Sequence, residues 1–243
     1  MIVIVLNAYL YGVVSIEPIE PNEKSGLSGE VDLAFKESSG NTQRKDYSTG
    51  AKLQYDYVNH LNYIIGNYLY AESNNEKIED KSFVHYRHIN RINDALVWEL
   101  YAQSEKSEFI NLKLRELIGV GIRLRFFKSD TVKFYFGLGA YDSKEIYEIS
   151  QDIKEIENAG RANSYISYKQ KIADKFEATA TFYHQPVLDN SNDYYLVANG
   201  NAKIFLTQQL AMKISAGIKE DSKPFEGNKK SDRYYILGLG YKF

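Results

Sequence analysis

The chain has 243 residues, with 30 basic against 32 acidic side chains and no cysteine. The lack of cysteine excludes disulfides, thiolate nucleophiles and thiolate metal sites, and the near-balance of charge lacks the basic excess typical of nucleic-acid-binding proteins. A mean hydropathy of -0.44 argues against a bundle of membrane-spanning helices, whereas the 21 Tyr and 12 Phe favour strands and polar–apolar boundaries. A transmembrane β-barrel remains compatible with these numbers, because its strands alternate apolar and polar residues.

The first 15 residues form the only continuous apolar stretch, which is too short for an ordinary spanning helix. They resemble the apolar region of a secretory signal, with Val13 and Ser15 suited to the -3 and -1 positions of a cleavage site. No Lys or Arg precedes Glu17, so either a positively charged start lies upstream or the stretch is a buried first strand. We favour a signal-peptide remnant over 1–15, a linker rich in Pro and charge over 16–25, and one domain over 26–243.

From Gly26 onward, apolar and polar residues alternate with a period of two. In the first segment Leu27 and Val31 share one face while Glu30 and Asp32 share the other, which is typical of a strand with one apolar and one wet face. The pattern recurs about twelve times and is weakest over 62–71, 82–91 and 163–171. The predicted strands cover residues 27–36, 46–57, 62–71, 82–91, 96–105, 111–125, 132–141, 163–171, 176–183, 194–204, 210–219 and 235–243.

The connections between these segments alternate in length. Tight turns follow the even strands, and longer polar connections follow the odd ones, at residues 37–44, 72–81, 104–109, 142–161, 186–193 and 220–232. Short periplasmic turns and longer outer loops are typical of outer-membrane barrels, and closure leaves no strand edge unpaired in lipid. The sequence therefore predicts an all-β, closed, antiparallel up-and-down transmembrane β-barrel of about 12 strands.

The longest of these connections has a different periodicity. Ile146, Ile149, Ile153 and Ile156 follow helical spacing over residues 142–157, and Gly160 is a possible stop. We expect a short amphipathic helix here. It would be either a lid or constriction folded towards a pore, or a helix packed on neighbouring loops.

The final segment places Tyr241 and Phe243 on its apolar face and ends there. This resembles the C-terminal strand by which bacterial outer-membrane barrels are recognised. The resemblance implies that Tyr241 and Phe243 act as a signal to the barrel-assembly machinery.

Several short motifs carry a family resemblance. They are Gly29–Phe35 followed by Ser39–Thr42, the glycine-spaced Gly119–Arg123, and Ser164–Tyr168. In their order and spacing the chain resembles the salt-induced outer-membrane protein family, a domain of unknown function, over nearly everything after Gly26. The resemblance implies a Gram-negative outer-membrane barrel exported through the periplasm, in contact with lipid and lipopolysaccharide. It implies no catalytic residue.

The charges on the inward faces are the best indication of activity. Acidic residues gather early and basic residues later, which predicts a mixed-to-acidic wall opposite a basic wall. The predicted acidic wall comprises Glu30, Asp32, Asp46, Asp56, Glu99 and Glu105, and the predicted basic wall comprises Lys113, Arg115, Arg123, Arg125, Lys133, Lys169, Lys171, Lys203 and Lys213. Two interpretations stay open: a narrow passive pore with mild anion preference, and a plugged lumen in which the charges pair and stabilise an envelope-stress structural protein.

An enzyme is the alternative from another class. A lipid hydrolase of the acyl-hydrolase type would need a nucleophile beside His184, and Ser164 on the neighbouring strand is the one candidate. His85 and His88 point to opposite faces of one strand, so no histidine pair suits a metal. We expect no catalytic site, no metal, no cofactor and no nucleic-acid partner, with small ions or solutes as possible cargo.

Overall fold

The computed structural model describes residues 19–21, 25–38, 44–150, 153–173, 175–225 and 227–242, and it forms a closed antiparallel barrel of twelve strands. Each strand pairs with its neighbours in the chain, and β12 pairs with β1 to close the barrel. The strands are β1 (Gly26–Ser38), β2 (Arg44–Tyr57), β3 (His60–Ser73), β4 (Glu76–Arg91), β5 (Leu96–Ser107), β6 (Leu112–Lys128), β7 (Val132–Ser150), β8 (Ile153–Ile172), β9 (Phe176–Val187), β10 (Asn190–Phe205), β11 (Leu210–Asp221) and β12 (Ser231–Lys242). The predicted fold class is confirmed. The signal-peptide segment 1–15 lies outside the described residues.

The period-two pattern sorts side chains between the lumen and the outward face. On β6, Ile118 and Val120 are 59% and 55% exposed on the outward face, whereas Arg115 and Arg123 are 2% and 3% exposed in the lumen. The outward face is thus apolar and the lumen is polar. This is the reverse of a soluble barrel, whose interior must be its hydrophobic core.

The two ends of the barrel differ. The terminal end carries the start of β1, the end of β12 and the turns that follow the even strands, and we call the opposite end distal. Most residues predicted as longer distal connections extend the strands into hairpins. Between β3 and β4 a two-residue turn, Asn74 and Asn75, has φ values of 51° and 64°, a left-handed conformation that Asn tolerates well. Among the described distal connections, residues 222–230 remain the long irregular one, apart from residue 226, which is not described.

The helix predicted over 142–157 is wrong. β7 and β8 continue through this region as a long hairpin, in which Ile146 and Ile156 are cross-strand partners. The helix in the described ranges is one short 3-10 turn, Glu108–Ile110. None of the helical structure described is long or apolar enough to cross a membrane.

Tyrosine rings cover two lumen glycines. Tyr101 pairs across strands with Gly119, and Tyr165 pairs with Gly137. A Cβ at Gly119 would lie 2.4 Å from Tyr101 Cζ, and one at Gly137 would lie 2.1 Å from Tyr165 Cε1. The missing side chains therefore make the space in which the rings lie flat against the wall.

Candidate functional site: the lumen

A buried ionic cluster fills the distal part of the lumen. Arg115 on β6 donates to Glu145 Oε2 at 2.7 Å and to Glu105 Oε2 at 3.4 Å. The Tyr195 hydroxyl on β10 lies 3.5 Å from the same guanidinium and donates to Glu145 Oε1 at 3.3 Å. None of these four side chains is more than 4% exposed, so the cluster excludes water.

A second cluster lies further towards the terminal end. Glu99 on β5 accepts from Arg87 at 3.0 Å and lies 3.2 Å from Arg123. The Tyr165 hydroxyl on β8 lies 3.4 Å from the same carboxylate. The three charged side chains are each 3% exposed. The Glu99 carboxylate thus pairs with one guanidinium from each of the two strands that flank β5.

Neutral hydrogen bonds form a third network in the lumen. Asn163 Nδ2 on β8 donates to the Tyr101 hydroxyl on β5 at 3.2 Å, and Gln185 Nε2 on β9 donates to Asn163 Oδ1 at 3.0 Å. The Tyr141 hydroxyl on β7 donates to Gln185 Oε1 at 3.3 Å. The Asn163–Tyr101 and Tyr141–Gln185 bonds join strands that are not neighbours, so these two bonds cross the lumen. We call the region lined by β4–β9, together with Tyr195 of β10, the packed half.

The opposite side of the lumen retains water contact. Lys213 on β11 donates to Asp32 Oδ1 at 2.8 Å and contacts Glu30, and Lys203 on β10 lies 3.5 Å from Glu30. The four side chains are 16–23% exposed. Lys213 reaches β1 by passing over Gly240 of β12, where a Cβ would lie 2.5 Å from Lys213 Cε. We call Glu30, Asp32, Lys203 and Lys213 the wet group.

At the terminal end, residues 19–21 lie inside the lumen, although residues 16–25 were predicted to be a linker. Glu20 is 7% exposed, and its carboxylate accepts from Arg125 and, at 3.2 Å, from Lys133. The Ile19 carbonyl accepts from Arg123 at 2.7 Å. Burial raises the pKa of the Glu20 carboxyl, but Arg125 and Lys133 outweigh it and hold that pKa below its ordinary value of 4.5.

The predicted basic wall is only partly a lumen wall. Arg115, Arg123, Arg125, Lys133, Lys203 and Lys213 lie in the lumen, each with an acidic partner. Lys169 and Lys171 both contact Glu177 near the terminal end, at 3.8 and 3.5 Å, and Lys171 is 55% exposed. Lys113 sits at a β-bulge and pairs with Glu148, which alternates with lumen-facing Tyr147, so its placement on the inward face was wrong.

The predicted acidic residues lie on the lumen side, but the two walls are not separate. Asp46 and Asp56 are buried on β2, while Glu30, Asp32 and Glu99 pair with bases as described. Glu145 and Glu177 stand among the basic residues and were missed. Glu145 was assigned to the predicted helix, yet it lies ten residues beyond Tyr135 on the same face, so strict alternation would have found it.

The serine–histidine pair considered for lipid hydrolysis does not form a dyad. Ser164 and His184 are cross-strand partners, but the Ser164 hydroxyl donates to the His184 backbone carbonyl at 3.2 Å. The His184 ring instead lies 5.9 Å from the Tyr194 ring. Within the described ranges, no group of three or more His, Asp or Glu side chains is arranged to hold a metal ion.

Comparison with known proteins gives a family and a fold. The profile of a family described as "Protein of unknown function, DUF481" matches residues 31–243. A sequence comparison with curated proteins finds no match.

Several solved barrels share the architecture. The NanC porin superposes with a TM-score of 0.54 at 11% identity, covering 90% of this chain and 100% of that one. The translocator domain of the autotransporter NalP from Neisseria meningitidis gives 0.52 at 11% identity, with 91% and 90% covered. A bacterial polysaccharide outer membrane secretin gives 0.50 at 7% identity, with 89% and 97% covered. At these identities the similarity establishes the fold of outer-membrane barrels.

Proposed function

Because the chain belongs to the DUF481 family of proteins of unknown function, we propose a function from its own geometry: a narrow passive channel of the bacterial outer membrane, with mild anion preference. The observation that carries the proposal is the wet group. Its four charged side chains are 16–23% exposed to water, whereas the ionic clusters of the packed half are at most 4% exposed. A solute path would therefore pass the wet group and would be narrowest further towards the distal end, at Tyr195 and Lys219, which are each 4% exposed.

The outward face supports a position in the outer membrane. On β7 the outward apolar residues run from Val132 to Ala140, and Asp142 and Lys144 follow on the same face. This run is about 27 Å along the strand, or about 20 Å in height at a strand tilt of about 40°. The apolar bands of outer-membrane barrels are about 25 Å tall. The same proposal includes contact with lipopolysaccharide beyond this band. It also includes recognition of Tyr241 and Phe243 by the barrel-assembly machinery. Tyr241 is 49% exposed on the outward face, and Phe243 lies outside the described residues.

The charge balance beside the path favours anions. Lys203 and Lys213 face Glu30 and Asp32, and Lys52 lies on the lumen side of β2 next to β1, opposite Glu30 in register. Three ammonium groups therefore accompany two carboxylates. Side-chain charge lining a narrow passage sets ion preference, so this excess predicts a modest selectivity for small anions.

The test is the conductance of the refolded barrel in planar bilayers, with selectivity taken from reversal potentials. Lys203→Gln combined with Lys213→Gln removes two cations from the path, and we expect the preference for anions to fall or reverse. Lys113→Gln is the matched control, because Lys113 pairs with Glu148 away from the lumen. Unchanged selectivity in the double variant, or silence from the correctly folded parent, would contradict the channel.

A structural role in the envelope is the second candidate, and the packed half favours it. Hydrogen bonds from β5 to β8 and from β6 to β10 tie opposite walls together, and Arg115 and Glu99 are each 2% exposed. A folded barrel that conducts no ions yet resists unfolding would fit this role. Induction by salt, which the family resemblance suggests, belongs to this proposal, and measuring the protein level during growth at high and low salt tests it.

A further inference from the structure

Residues 19–21 are held mainly by cationic side chains that bind backbone carbonyls and a carboxylate. Arg123 donates to the Ile19 carbonyl, and Arg91 donates to the Pro21 carbonyl. Between these contacts, Arg125 and Lys133 share the Glu20 carboxylate. These four cations come from β4, β6 and β7, and together they bind two backbone carbonyls and one carboxylate. Charge-assisted hydrogen bonds of this kind are stronger than neutral ones.

An apolar pocket lies beside these cations. Ile19 is 7% exposed and packs in a cluster with Leu61, Phe83, Ile89 and Val97, all buried in the lumen wall. Among the described residues this cluster has six buried members, against two or three in each of the other apolar clusters of the lumen. The pocket thus gives the terminal end a second recognition element, one that accepts a branched aliphatic side chain immediately before the carboxylate.

We infer that the terminal end of the lumen is a binding site for a short acidic peptide, and that Ile19–Glu20–Pro21 occupies it as a ligand from the same chain. The site selects an extended backbone with an aliphatic residue followed by Glu. Residues 19–21 belong to no strand, so the segment exchanges without breaking the barrel. Any peptide of this chemistry that reaches the terminal end competes for the site.

Cysteine labelling tests whether the segment is seated, because the chain contains no cysteine of its own. Pro21→Cys places a thiol at a buried position, and Ser25→Cys places one at an exposed position nearby. With the full chain in lipid nanodiscs and a polar maleimide, we expect Cys at 21 to react at least tenfold more slowly than Cys at 25. Adding Glu20→Arg, which sets a cation against Arg125 and Lys133, should remove most of that difference.

The matched control is Glu76→Arg, the same change at an exposed position in the distal hairpin between β3 and β4, which should leave both labelling rates unchanged. Ile19→Cys gives a second measurement that leaves Glu20 and Pro21 intact, because Ile19 is also buried. Cys at 19 should likewise react at least tenfold more slowly than Cys at 25.

The ligand chemistry is tested with acetyl-Ile-Glu-Pro-amide at millimolar concentration. It should accelerate labelling of Cys at 21, and acetyl-Ile-Gln-Pro-amide should not. Equal labelling at positions 19, 21 and 25 would overturn the inference, as would equal effects of the two peptides. Labelling does not depend on ion flow, so these results stand apart from the success or failure of the channel proposal.

Discussion

Replacing Arg115 tests whether the distal lumen is a packed ionic core. The guanidinium is 2% exposed and lies within 3.4 Å of both Glu105 and Glu145. Arg115→Leu would leave two carboxylates without their shared cation in a space that water does not reach. Removing one partner of a buried ion pair costs about 3–5 kcal/mol, roughly a hundredfold to a few thousandfold in the folding equilibrium.

The assay is urea unfolding of the barrel in phospholipid vesicles, followed by heat-dependent gel mobility and by the fluorescence of Trp98, the single tryptophan. Lys203→Gln is the matched control in the wet group. Its ion pair keeps water contact, and pairs of that kind contribute about 0–1 kcal/mol. The double variant Arg115→Leu, Glu145→Gln should recover much of the loss, because Glu105 keeps Lys81 as a partner at 3.8 Å and Glu145 no longer carries a charge.

Two results would refute this reasoning. One is a cost for Arg115→Leu no larger than that of Lys203→Gln, which would mean that the cluster is hydrated. The other is no recovery in the double variant, which would mean that Arg115 acts through packing and not through charge. A large change in ion selectivity without loss of stability would place Arg115 beside the solute path instead.

Three further changes have expected outcomes. Gly137→Ala places a Cβ against the Tyr165 ring and should cost about 1–3 kcal/mol in the same unfolding assay, whereas Gly200→Ala, with open space around it, should cost little. The pKa of Glu20 is lowered, so its ion pairs stabilise docking fully above pH 4.5 and are lost as the pH falls through that lowered pKa. A nitroxide at Ser25→Cys should therefore gain mobility only below pH 4.5, and a gain between pH 7 and pH 4.5 would contradict this. Tyr241→Ala should reduce the yield of assembled barrel in cells without reducing in vitro refolding to the same extent; equal losses would point to stability alone.

The strands were predictable because, throughout the membrane-spanning part, an apolar outward face contrasts with a polar lumen face. Wherever the outward face is apolar and the lumen polar, as at Ile118 to Ile122 on β6, alternation identifies both the strand and its faces. Beyond the apolar band this contrast ends. In the β7–β8 hairpin both faces carry polar residues, and four isoleucines at helical spacing favoured a helix that does not form. Cross-strand pairing of Ile146 with Ile156 is a non-local contact that periodicity does not report.

The charged lumen residues were predictable as a class, and their pairing was not. Period two places Arg115, Arg123 and Glu99 inside, but which carboxylate meets which cation depends on register and barrel shape. The docking of residues 19–21 was beyond prediction for another reason. Pro and charge in a short segment are typical of a linker, and only the assembled end of the barrel creates the pocket that Ile19 fills.

The passage of Lys213 over Gly240 bears on the order in which the barrel folds and comes apart. β1 and β12 stand at opposite ends of the chain, so their meeting carries the largest loop-closure cost of any strand pair. In the lumen, Lys213 of β11 donates to Asp32 of β1. This contact spans β12, which lies between the two strands, and so reinforces the β1–β12 pairing that closes the barrel. Such a contact forms only once the ring is complete, and we expect it to slow unfolding more than it speeds folding. Gly240→Ala, which obstructs that passage, should therefore shorten the lifetime of the folded barrel while leaving its rate of formation almost unchanged.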